Sequence, residues 1–220
     1  MMRIITSPGG LPISVIVPLS TRRMAFFEQF TQPLIEANNT AEIIIDVSND
    51  TASAKRNRAF AVSTQPFVFT CDDDCLLPAT HLKTLYTELT AHPEAGYVYT
   101  GFYRVPVWQV EKKGFFVQPP PQAVNLVQTI DFDAAKLRRE NYISPMALIR
   151  RQCWTNYDEQ FVMLDDYDFY LSLLAAGITG RAVHSSLFYA FFIDEGTTAR
   201  AGSDGIRKAL VQVRKKHKIT

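Results

Sequence analysis

The sequence lacks the features of a secreted, membrane-spanning or nucleic-acid-binding protein. Its three cysteines, Cys71, Cys75 and Cys153, are too few for a disulfide framework and fit a reducing compartment. Prolines and glycines interrupt the first apolar run before a signal-peptide core could form, and every apolar run is too short to cross a bilayer. A formal net charge of +1 provides no broad basic surface for a phosphate backbone. We therefore expect a cytoplasmic protein with no nucleic-acid partner, although a free nucleotide could still bind.

What the sequence does have is enough apolar material for one folded domain. Of its 220 residues, 47% are hydrophobic, which suits a single α/β domain with one core. Short β-branched runs at 12–19, 41–48 and 66–71 are typical of buried parallel strands, and helix-favouring segments at 20–38 and 51–63 separate them. This βαβ alternation predicts a ligand crevice at the carboxyl ends of the strands.

The rest of the chain alternates less regularly. The segment VWQVEKKGFFVQPPPQ combines aromatics, paired lysines, Gly114 and three prolines, and it cannot continue a regular helix. We expect a hairpin or flap there. Elsewhere the pattern predicts strands at 95–105 and 181–192, helices at 81–92, 131–140 and 206–218, and a loop at 193–205.

Three consecutive acids, Asp72, Asp73 and Asp74, end the third predicted strand in the run FVFTCDDDC. Carboxylates side by side over a crevice repel one another as the local dielectric falls, so a cation should offset them. Alternate residues of an extended segment point the same way, so Asp72 and Asp74 can converge on one point while Asp73 faces away. Mg²⁺ or Mn²⁺ suits that point. The competing interpretation is an acidic turn in which an Asp caps the helix that begins near Thr80.

Two cysteines, Cys71 and Cys75, bracket these acids with a C-x3-C spacing that could suggest zinc. No second pair of Cys or His residues supplies the remaining tetrahedral ligands. We therefore interpret both cysteines as small buried residues and expect no zinc at this motif.

A second acid cluster opens the predicted helix DDYDFYLSLLAAG. Four residues before the buried-face residues Phe169 and Tyr170 lie Asp165 and Asp166, which therefore extend the inward face. One acid at a helix N-terminus can serve as a cap, stabilised by the helix dipole. A second, inward acid is a candidate general base for a hydroxyl nucleophile. The helix terminus lowers the pKa of such an acid and neighbouring acids raise it, so the sequence leaves the net direction open.

Taken in order, several segments resemble the family 2 glycosyltransferases of the GT-A fold, from about residue 12 to about residue 190. They are ISVIVPL, EIIIDVSND, ASAKRNRA, FVFTCDDDCLLP, NYISPMALIRR and YDEQFVMLDDYDFYLSLLAAG. The resemblance implies a single GT-A (Rossmann-like) α/β domain over 1–220, with a mostly parallel central sheet flanked by helices. It also implies a nucleotide-sugar-binding half at about 12–100, an acceptor and catalytic half at about 101–195, and a C-terminal loop and basic helix at 196–220.

By the same resemblance, the donor nucleotide lies at the ends of the first βα units. Pro18 and Leu19 would border the nucleotide, and Asp46 would contact its base. Lys55 or Arg56 of the AKRN segment would lie near it. Local alternatives stay open, because Asp46 could instead form an Asx turn, and Lys55 and Arg56 could lie on a solvated helix face.

The resemblance also makes the acid triplet a metal motif and the second acid cluster the source of the catalytic base. Asp74 would ligate Mn²⁺ or Mg²⁺ directly, and Asp72 would reach a metal-bound water or the ribose. Asp73 belongs to the same donor-binding segment. Asp166 would be the general base, with Asp165 as the second choice.

Two departures from the family pattern bear on these assignments. Family members usually have DDGS where this chain has DVSND, so the base contact could shift from Asp46 to Asp50. Many members also carry a metal-binding His after the last strand, whereas this chain has YAFFIDEG, with Asp194 or Glu195 as the nearest third ligand. His184 lies earlier, and we interpret it as a core or surface histidine.

Several segments are candidates for the acceptor side. Asp158 and Glu159 match the family's FDE stretch, which borders the acceptor. The aromatic flap at 102–122 could form a wall against a sugar ring, or an ordinary core loop. The basic helix at 206–218 could contact an anionic lipid that carries the acceptor, which would place the protein at a membrane surface, or it could simply end in solvent.

The activity that the resemblance implies is a metal-dependent, inverting transfer of a sugar from a UDP-linked donor. The acceptor would be a hydroxyl of a glycan or lipid-linked molecule, as in polysaccharide biosynthesis. One alternative is a non-catalytic nucleotide- or sugar-binding module, which would not need both acid clusters. Another is a sugar-phosphate nucleotidyltransferase, which would need a Gly-rich, Arg-containing loop after the first strand, where VPLSTRRM has no glycine.

Overall fold

The computed structural model of the protein describes residues 1–106, 124–192 and 197–219. Most of the predicted flap, including Trp108, Phe115 and Phe116, lies outside the described residues, as do Asp194 and Glu195. The aromatic acceptor wall and the third metal ligand therefore stay predictions.

A seven-stranded sheet forms the centre of the described structure. Its strands are β1 Met2–Thr6, β2 Leu11–Pro18, β3 Thr40–Asp46, β4 Phe67–Thr70, β6 Tyr97–Tyr99, β9 Ala147–Arg150 and β10 Gly180–Ala182. They lie in the order β1-β3-β2-β4-β9-β6-β10. Strands β2, β3, β4, β6 and β10 run in one direction, and β1 and β9 oppose them. The sheet is therefore mostly parallel, as predicted.

Helices cover both faces of this sheet. The described helices are α1 Met24–Phe26, α2 Gln32–Ala37, α3 Ala52–Val62, α4 His81–Ala91, α5 Ala134–Arg139, α6 Asp165–Ala175 and α7 Thr197–Lys216. The predicted helix at 20–38 is composite, because a 3₁₀ turn at Thr21–Arg23 precedes α1 and a π-helical segment at Phe27–Thr31 joins α1 to α2.

Alternating apolar residues fill the two faces of the sheet. Val15 of β2 packs in one cluster with Ile35 of α2 and Leu85 of α4. The next residue, Ile16, packs on the opposite face with Ala59 of α3. Farther along that opposite face, the buried aromatic side of α6 covers β6 and β9. The sheet is thus enclosed between two helical layers, which leaves its strand ends as the place where polar side chains can gather.

A second sheet of four strands stands beside the first. It consists of β5 Cys75–Leu76, β7 Phe102–Pro106, β8 Asn125–Val127 and β11 Phe188–Phe192, in the order β5-β11-β7-β8. β11 is parallel to β7 and antiparallel to β5. Because β5 directly follows the acid triplet, this second sheet holds the far end of the triplet in place.

Two segments predicted as single strands are each divided between the sheets. The segment 95–105 forms β6 in the large sheet and β7 in the second, and the segment 181–192 forms β10 and β11. At the break, a Cβ on Gly101 would lie 2.3 Å from the carbonyl oxygen of Val127, so only glycine fits. β10 pairs with β6 and β11 with β7, so both segments change sheets together. The single-strand predictions were wrong because apolar alternation does not mark a change of pairing partner.

The predicted loop at 193–205 is helical in its second part. α7 begins at Thr197 and continues to Lys216, interrupted at Gly202, which has φ 60° and ψ −176°. The loop prediction was wrong there because helical turns lie on both sides of Gly202, and this residue separates them by a kink instead of a loop. Among the described residues, no helix combines the length and the apolar character that a bilayer span requires.

The carboxyl ends of β2, β3 and β4 lie together at one edge of the large sheet. Pro18 is paired in register with Asp46, and Ile16 with Thr70. The backbone of Leu19 also donates a hydrogen bond to the carbonyl of Asp46 at 3.0 Å. The acids that follow Thr70 therefore share an edge with the predicted nucleotide-binding residues.

Candidate functional site

The acid triplet alternates between buried and solvent-facing side chains at this edge. Asp73 is 1% exposed, whereas Asp72 and Asp74 keep partial contact with solvent. Asp72 and Asp74 are thus both partly exposed while Asp73 faces away, but Asp73 and Asp74 lie in a turn, and the convergence of Asp72 and Asp74 on one point stays a prediction. At the start of α4, the backbone N–H of Leu82 donates to Oδ1 of Asn38 at 2.9 Å. The interpretation of the triplet as the cap of α4 is wrong, because Asn38 supplies that acceptor.

Asp73 connects the triplet to the loop after β2. Its Oδ2 accepts a hydrogen bond from the backbone N–H of Ser20 at 2.6 Å, and its Oδ1 lies 2.8 Å from Nη2 of Arg23. Burial raises the pKa of Asp73 above its ordinary value, although Arg23 and the Ser20 amide oppose the shift. Asp73 therefore faces into the protein and fixes the backbone from which its two neighbours project.

Asp74 pairs with the same arginine. Nη1 of Arg23 donates to Oδ2 of Asp74 at 2.6 Å. Burial raises the pKa of Asp74 to about 7, Arg23 lowers it, and the carboxylates of Asp73 and Asp72 raise it further. Arg23 thus supplies one positive charge at the triplet, yet the pKa of Asp74 stays high because one guanidinium does not offset burial together with two neighbouring carboxylates.

Arg56 joins the two acid clusters. From α3, its Nη2 donates to Oδ1 of Asp72 and its Nη1 donates to Oδ2 of Asp165, both at 2.7 Å. The side chain is 5% exposed and lies over the ring of Tyr157, with Cζ 5.1 Å from the ring centroid. Burial alone would lower the pKa of Arg56, but the two carboxylates raise it. One guanidinium therefore holds the end of β4 and the start of α6 at the same place.

Replacing Arg56 with Met is expected to lower the free energy of unfolding by about 2–4 kcal/mol, because two partly buried carboxylates lose their shared partner. Urea denaturation monitored by circular dichroism measures the change. The matched control is Arg207→Met, since Arg207 and its partner Asp204 are both largely exposed; we expect no measurable change there. Equal effects of the two variants would contradict the bridging role of Arg56.

The two acids of α6 have different surroundings. Asp165 accepts hydrogen bonds from Arg56 and, at 2.9 Å, from Oγ of Ser53. Asp166 accepts from uncharged donors: Nδ2 of Asn141 reaches its Oδ2 at 3.1 Å, and the backbone N–H of Tyr167 reaches its Oδ1 at 2.8 Å. Burial raises the pKa of Asp166 to about 6, and the neighbouring Asp165 adds to the shift. The sequence left open whether the pKa of Asp166 is raised or lowered, and in the structure it is raised.

The predicted base-contact residue, Asp46, forms an Asx turn and an ion pair. Its Oδ1 accepts from the backbone N–H of Ser48 at 2.9 Å, and its Oδ2 accepts from Nε of Arg58 at 2.9 Å. Burial alone would raise the pKa of Asp46, but the Ser48 and Arg58 hydrogen bonds lower it. The alternative candidate, Asp50, accepts from Nη1 of the same Arg58 at 2.8 Å. Arg58 therefore brings both candidate residues to one place.

The other predicted nucleotide-side residues are buried at the ends of β2 and α3. Pro18 and Leu19 are buried, and Nζ of Lys55 donates to the carbonyl oxygen of Leu19 at 2.8 Å. Burial lowers the pKa of Lys55, partly offset by Asp46 and Asp73. The reading of Lys55 and Arg56 as solvated helix residues is wrong, since both side chains are buried.

The predicted acceptor-side acids hold neighbouring segments. Oδ2 of Asp158 lies 3.0 Å from Nζ of Lys216, at the end of α7, and Glu159 accepts from Nδ2 of Asn57 at 2.9 Å. Lys216 also pairs with Asp168 of α6, which is buried and accepts from His217 at 2.8 Å. The end of the basic helix is thus docked on α6, and of its cations Lys216 is not free to contact a lipid.

Other sequence interpretations concern residues outside this cluster. Cys71 and Cys75 are free thiols buried in the main core, in agreement with the interpretation as small buried residues. His184 is largely exposed and lies 2.8 Å from Oδ1 of Asp131. It is a surface histidine, one of the two interpretations given above.

The donor set at the triplet suits a hard divalent cation. Arg56 bonds Oδ1 of Asp72 and Arg23 bonds Oδ2 of Asp74. The other oxygen of Asp74, Oδ1, lies 3.8 Å from the buried thiol of Cys75, which is a weak donor. The two acids still supply carboxylate oxygens, the ligands that Mg²⁺ and Mn²⁺ prefer. Within the part of the chain that the structure describes, no group of three or more His, Cys, Asp or Glu side chains forms a metal cage. A cation here would complete its shell with water and diphosphate oxygens.

Charge also favours a cation at this edge. The ion pairs of Arg23 and Arg56, counted together with Asp166 beside Asp165, contain three more carboxyl groups than guanidinium groups. The carboxyl groups are those of Asp72, Asp73, Asp74, Asp165 and Asp166, and the guanidinium groups are those of Arg23 and Arg56.

Sequence reasoning missed Arg23, Arg58 and Asn141. Arg23 could have been found, because it lies on the turn after β2, at the same sheet edge as the triplet. Arg58 lies in the second turn of α3, close to the end of β3. Asn141 had no such signal, since 25 residues separate it from Asp166 and only the fold brings them together.

A comparison with protein-family models gives one match over more than half of the chain. The model described as "Glycosyl transferase family 2" matches residues 27–155. That range contains β3, α3, the acid triplet and Asn141, and it ends before α6. A sequence search of curated proteins found no significant match.

Solved structures with the same fold include several of S. aureus TarS. TarS 1-349 in complex with UDP-GlcNAc matches with a TM-score of 0.58 and 12% identity over 93% of this chain and 66% of that one. TarS 1-349 in complex with UDP gives 0.50 and 12% over 92% and 72%. A longer TarS chain gives 0.55 and 12% over 93% and 39%. This chain thus spans only part of the length of each of these TarS chains, and the likeness is one of fold.

Proposed function

The chain belongs to glycosyl transferase family 2, and on that premise we propose that it transfers a sugar from a nucleotide-diphosphate sugar to an acceptor hydroxyl, with inversion at the anomeric carbon. We propose a UDP-linked donor, since TarS, which shares the fold, was solved with UDP-GlcNAc and with UDP. The proposed acceptor is a hydroxyl of a glycan or lipid-linked molecule, in a polysaccharide-forming reaction.

The observation that carries this proposal is the Arg56 bridge. A sugar-transfer site needs a group that holds the diphosphate and a base that activates the acceptor, and the two must lie within one sugar ring's reach. Arg56 is bonded to Asp72 of the triplet and to Asp165 of α6, each at 2.7 Å. Asp166, next to Asp165, is thereby placed near the donor-side acids.

We assign the general base to Asp166 rather than Asp165. The carboxylate of Asp165 already accepts hydrogen bonds from Arg56 and Ser53. Asp166 has only uncharged hydrogen-bond donors among its described partners, and burial raises its pKa to about 6. A carboxylate of raised basicity accepts the acceptor's proton more readily, and such assistance contributes about 10²–10⁴-fold in rate.

We assign the donor diphosphate to the solvent-facing side of the triplet. Asp74 and Asp72 would hold Mg²⁺ or Mn²⁺, which when bound supplies electrostatic stabilisation of the departing nucleotide diphosphate. Asp73 and Ser20 keep the triplet backbone in position. Arg23 can contribute further positive charge on that side, because it already lies against Asp74.

We assign the nucleotide base to the edge formed by Pro18, Leu19 and Asp46. Arg58 holds Asp46 and Asp50 together there, so the base would meet a fixed arginine–carboxylate pair rather than a free acid. Lys55 stabilises this edge by donating a hydrogen bond to the carbonyl oxygen of Leu19.

The pH dependence of the transfer follows from the base. Asp166 must be ionised to take a proton, and its pKa is about 6. We therefore expect kcat to fall as the pH decreases through about 6, approaching a tenfold loss per pH unit below that value. Steady-state rates measured between pH 5 and 8 at saturating donor test this; a rate that is flat down to pH 5 would contradict the assignment.

A thermal-shift screen tests the donor class. UDP-, GDP- and dTDP-sugars are compared with and without Mn²⁺, because a ligand that binds the native state raises the melting temperature. At a concentration of about 100 times the dissociation constant, the expected shift is about 5–10 °C. A shift for UDP-sugars that depends on Mn²⁺ supports the proposal. Donor binding without any hydrolysis or transfer would favour a non-catalytic binding module instead.

A further inference from the structure

We propose that Asn141 is a positioning residue for the Asp166 carboxylate, which it holds in one orientation and in its ionised form. This inference rests on the proposed function, because it concerns the group assigned as the general base. Asn141 lies between α5 and β9, in a segment to which neither the sequence motifs nor the family resemblance gave this role.

The geometry fixes both oxygens of Asp166. Oδ2 accepts a hydrogen bond from Nδ2 of Asn141 at 3.1 Å, and Oδ1 accepts from the backbone N–H of Tyr167 at 2.8 Å. A carboxylate oxygen can accept more than one hydrogen bond, so Oδ2 keeps a lone pair for a substrate proton. The two hydrogen bonds therefore orient the carboxylate and still leave it able to accept a proton.

The segment that carries Asn141 is tied to α6 on both sides. The hydroxyl of Tyr167 donates to the carbonyl oxygen of Arg138 at 3.1 Å, three residues before Asn141. The hydroxyl of Tyr170 donates to the carbonyl oxygen of Ser144 at 2.7 Å, three residues after it. Both tyrosines are fully buried. Asn141 is thus held opposite Asp166 by the same helix that carries Asp166.

An uncharged donor suits a general base better than a cation would. The groups that face Asp166 are Asp165 on its own helix, Arg56 from α3, and the ring hydroxyls of Tyr157 and Tyr170. The guanidinium of Arg56 forms its ion pair on α6 with Asp165. The amide of Asn141 stabilises the ionised form of Asp166 and so lowers its pKa, while burial and Asp165 raise it, with a net value of about 6.

The first test measures the carboxyl group directly and needs no activity. The pKa of Asp166 is read from its side-chain ¹³C chemical shift in an NMR titration of the protein without donor. Loss of a hydrogen bond to a charged group predicts that Asn141→Ala raises this pKa by about one unit. Asn141→Asp, which has nearly the same shape but brings a second carboxylate, should raise it more than Asn141→Ala does.

The second test follows the acid limb of kcat. We expect Asn141→Ala to shift the limb upward by about one pH unit and to lower kcat at its optimum by about tenfold. The control is Gln32→Ala, which removes another amide–carboxylate hydrogen bond, the exposed one from Gln32 to Glu36 of α2 at 2.8 Å. This control should leave both the pH limb and kcat unchanged.

The outcomes separate this inference from the proposed function. If the ¹³C pKa and the pH limb are unchanged in Asn141→Ala, even with a lower kcat, Asn141 does not position the base and the inference is overturned. If Asp166→Asn is as active as the wild type, the proposed function itself is overturned. A shifted pKa together with an inactive Asp166→Asn supports both.

Discussion

Asp166→Asn is expected to lower kcat for sugar transfer by about 10²–10⁴-fold while the dissociation constant of the donor stays the same. Asn has the shape of Asp but cannot take the acceptor's proton. Its single side-chain oxygen can still accept one of the two hydrogen bonds that Asp166 accepts. With that oxygen on the backbone N–H of Tyr167, the first turn of α6 should keep its structure. Steady-state kinetics give kcat, and isothermal titration calorimetry gives the affinity for the donor.

The matched control for this variant is Asp204→Asn, which makes the same change at a largely exposed acid of α7. It should have the activity of the wild type. The assignment of the base would be contradicted if Asp166→Asn kept its kcat, or if its loss of activity came entirely from weaker donor binding.

Asp74→Asn is expected to remove the Mn²⁺-dependent part of the donor-induced thermal shift and to lower kcat by more than about 10²-fold. The physical reason is the loss of the carboxylate that we assign as the direct ligand of the cation. Arg23 keeps its contact with Asp73 in this variant, so the triplet should remain folded. Thermal shifts with UDP-sugar, in Mn²⁺ and in EDTA, measure the effect.

For Asp74 the control is Asp131→Asn, because Asp131 is an exposed acid paired only with His184 in the described structure. It should respond to Mn²⁺ as the wild type does. Should Asp74→Asn retain a full Mn²⁺ response, the ligand assignment at the triplet would be wrong.

Most of the fold could be predicted because burial leaves a direct pattern in the sequence. The β-branched runs at 12–19, 41–48 and 66–71 became β2, β3 and β4, and the helix between the second and third of them became α3. Because β2 pairs in parallel with both β3 and β4, the carboxyl ends of the three strands lie at one edge of the sheet. The α/β class, the helix-flanked sheet and the family are confirmed by the structure and the comparisons.

The errors lie where tertiary pairing decides the local structure. The strand predicted at 95–105 divides at Gly101, where the backbone of β8 leaves no room for a side chain. The same change of sheet divides 181–192. The first break falls at Thr100–Gly101 and the second at His184–Ser186, which are short interruptions inside otherwise apolar segments. Each segment was therefore predicted as one strand, because so short an interruption does not by itself indicate a change of sheet.

The acids of the candidate site could be predicted from the sequence, but their ion-pair partners could not. Three adjacent aspartates after a buried strand, and two more at a helix start, are local patterns. Arg56 was chosen for a place near the nucleotide, but it is the ion-pair partner of Asp72 and Asp165, from segments 16 and 109 residues away. Such partnerships depend on distances between elements, and these come only from the folded chain.

The most direct test of the central claim is a crystal structure of the protein with Mn²⁺ and UDP, with anomalous scattering data recorded for manganese. We predict an anomalous peak bonded to the carboxylate of Asp74, with the diphosphate on the same side as Asp166. A nucleotide bound away from the triplet, or manganese bound elsewhere with Asp74 still paired to Arg23, would contradict the account.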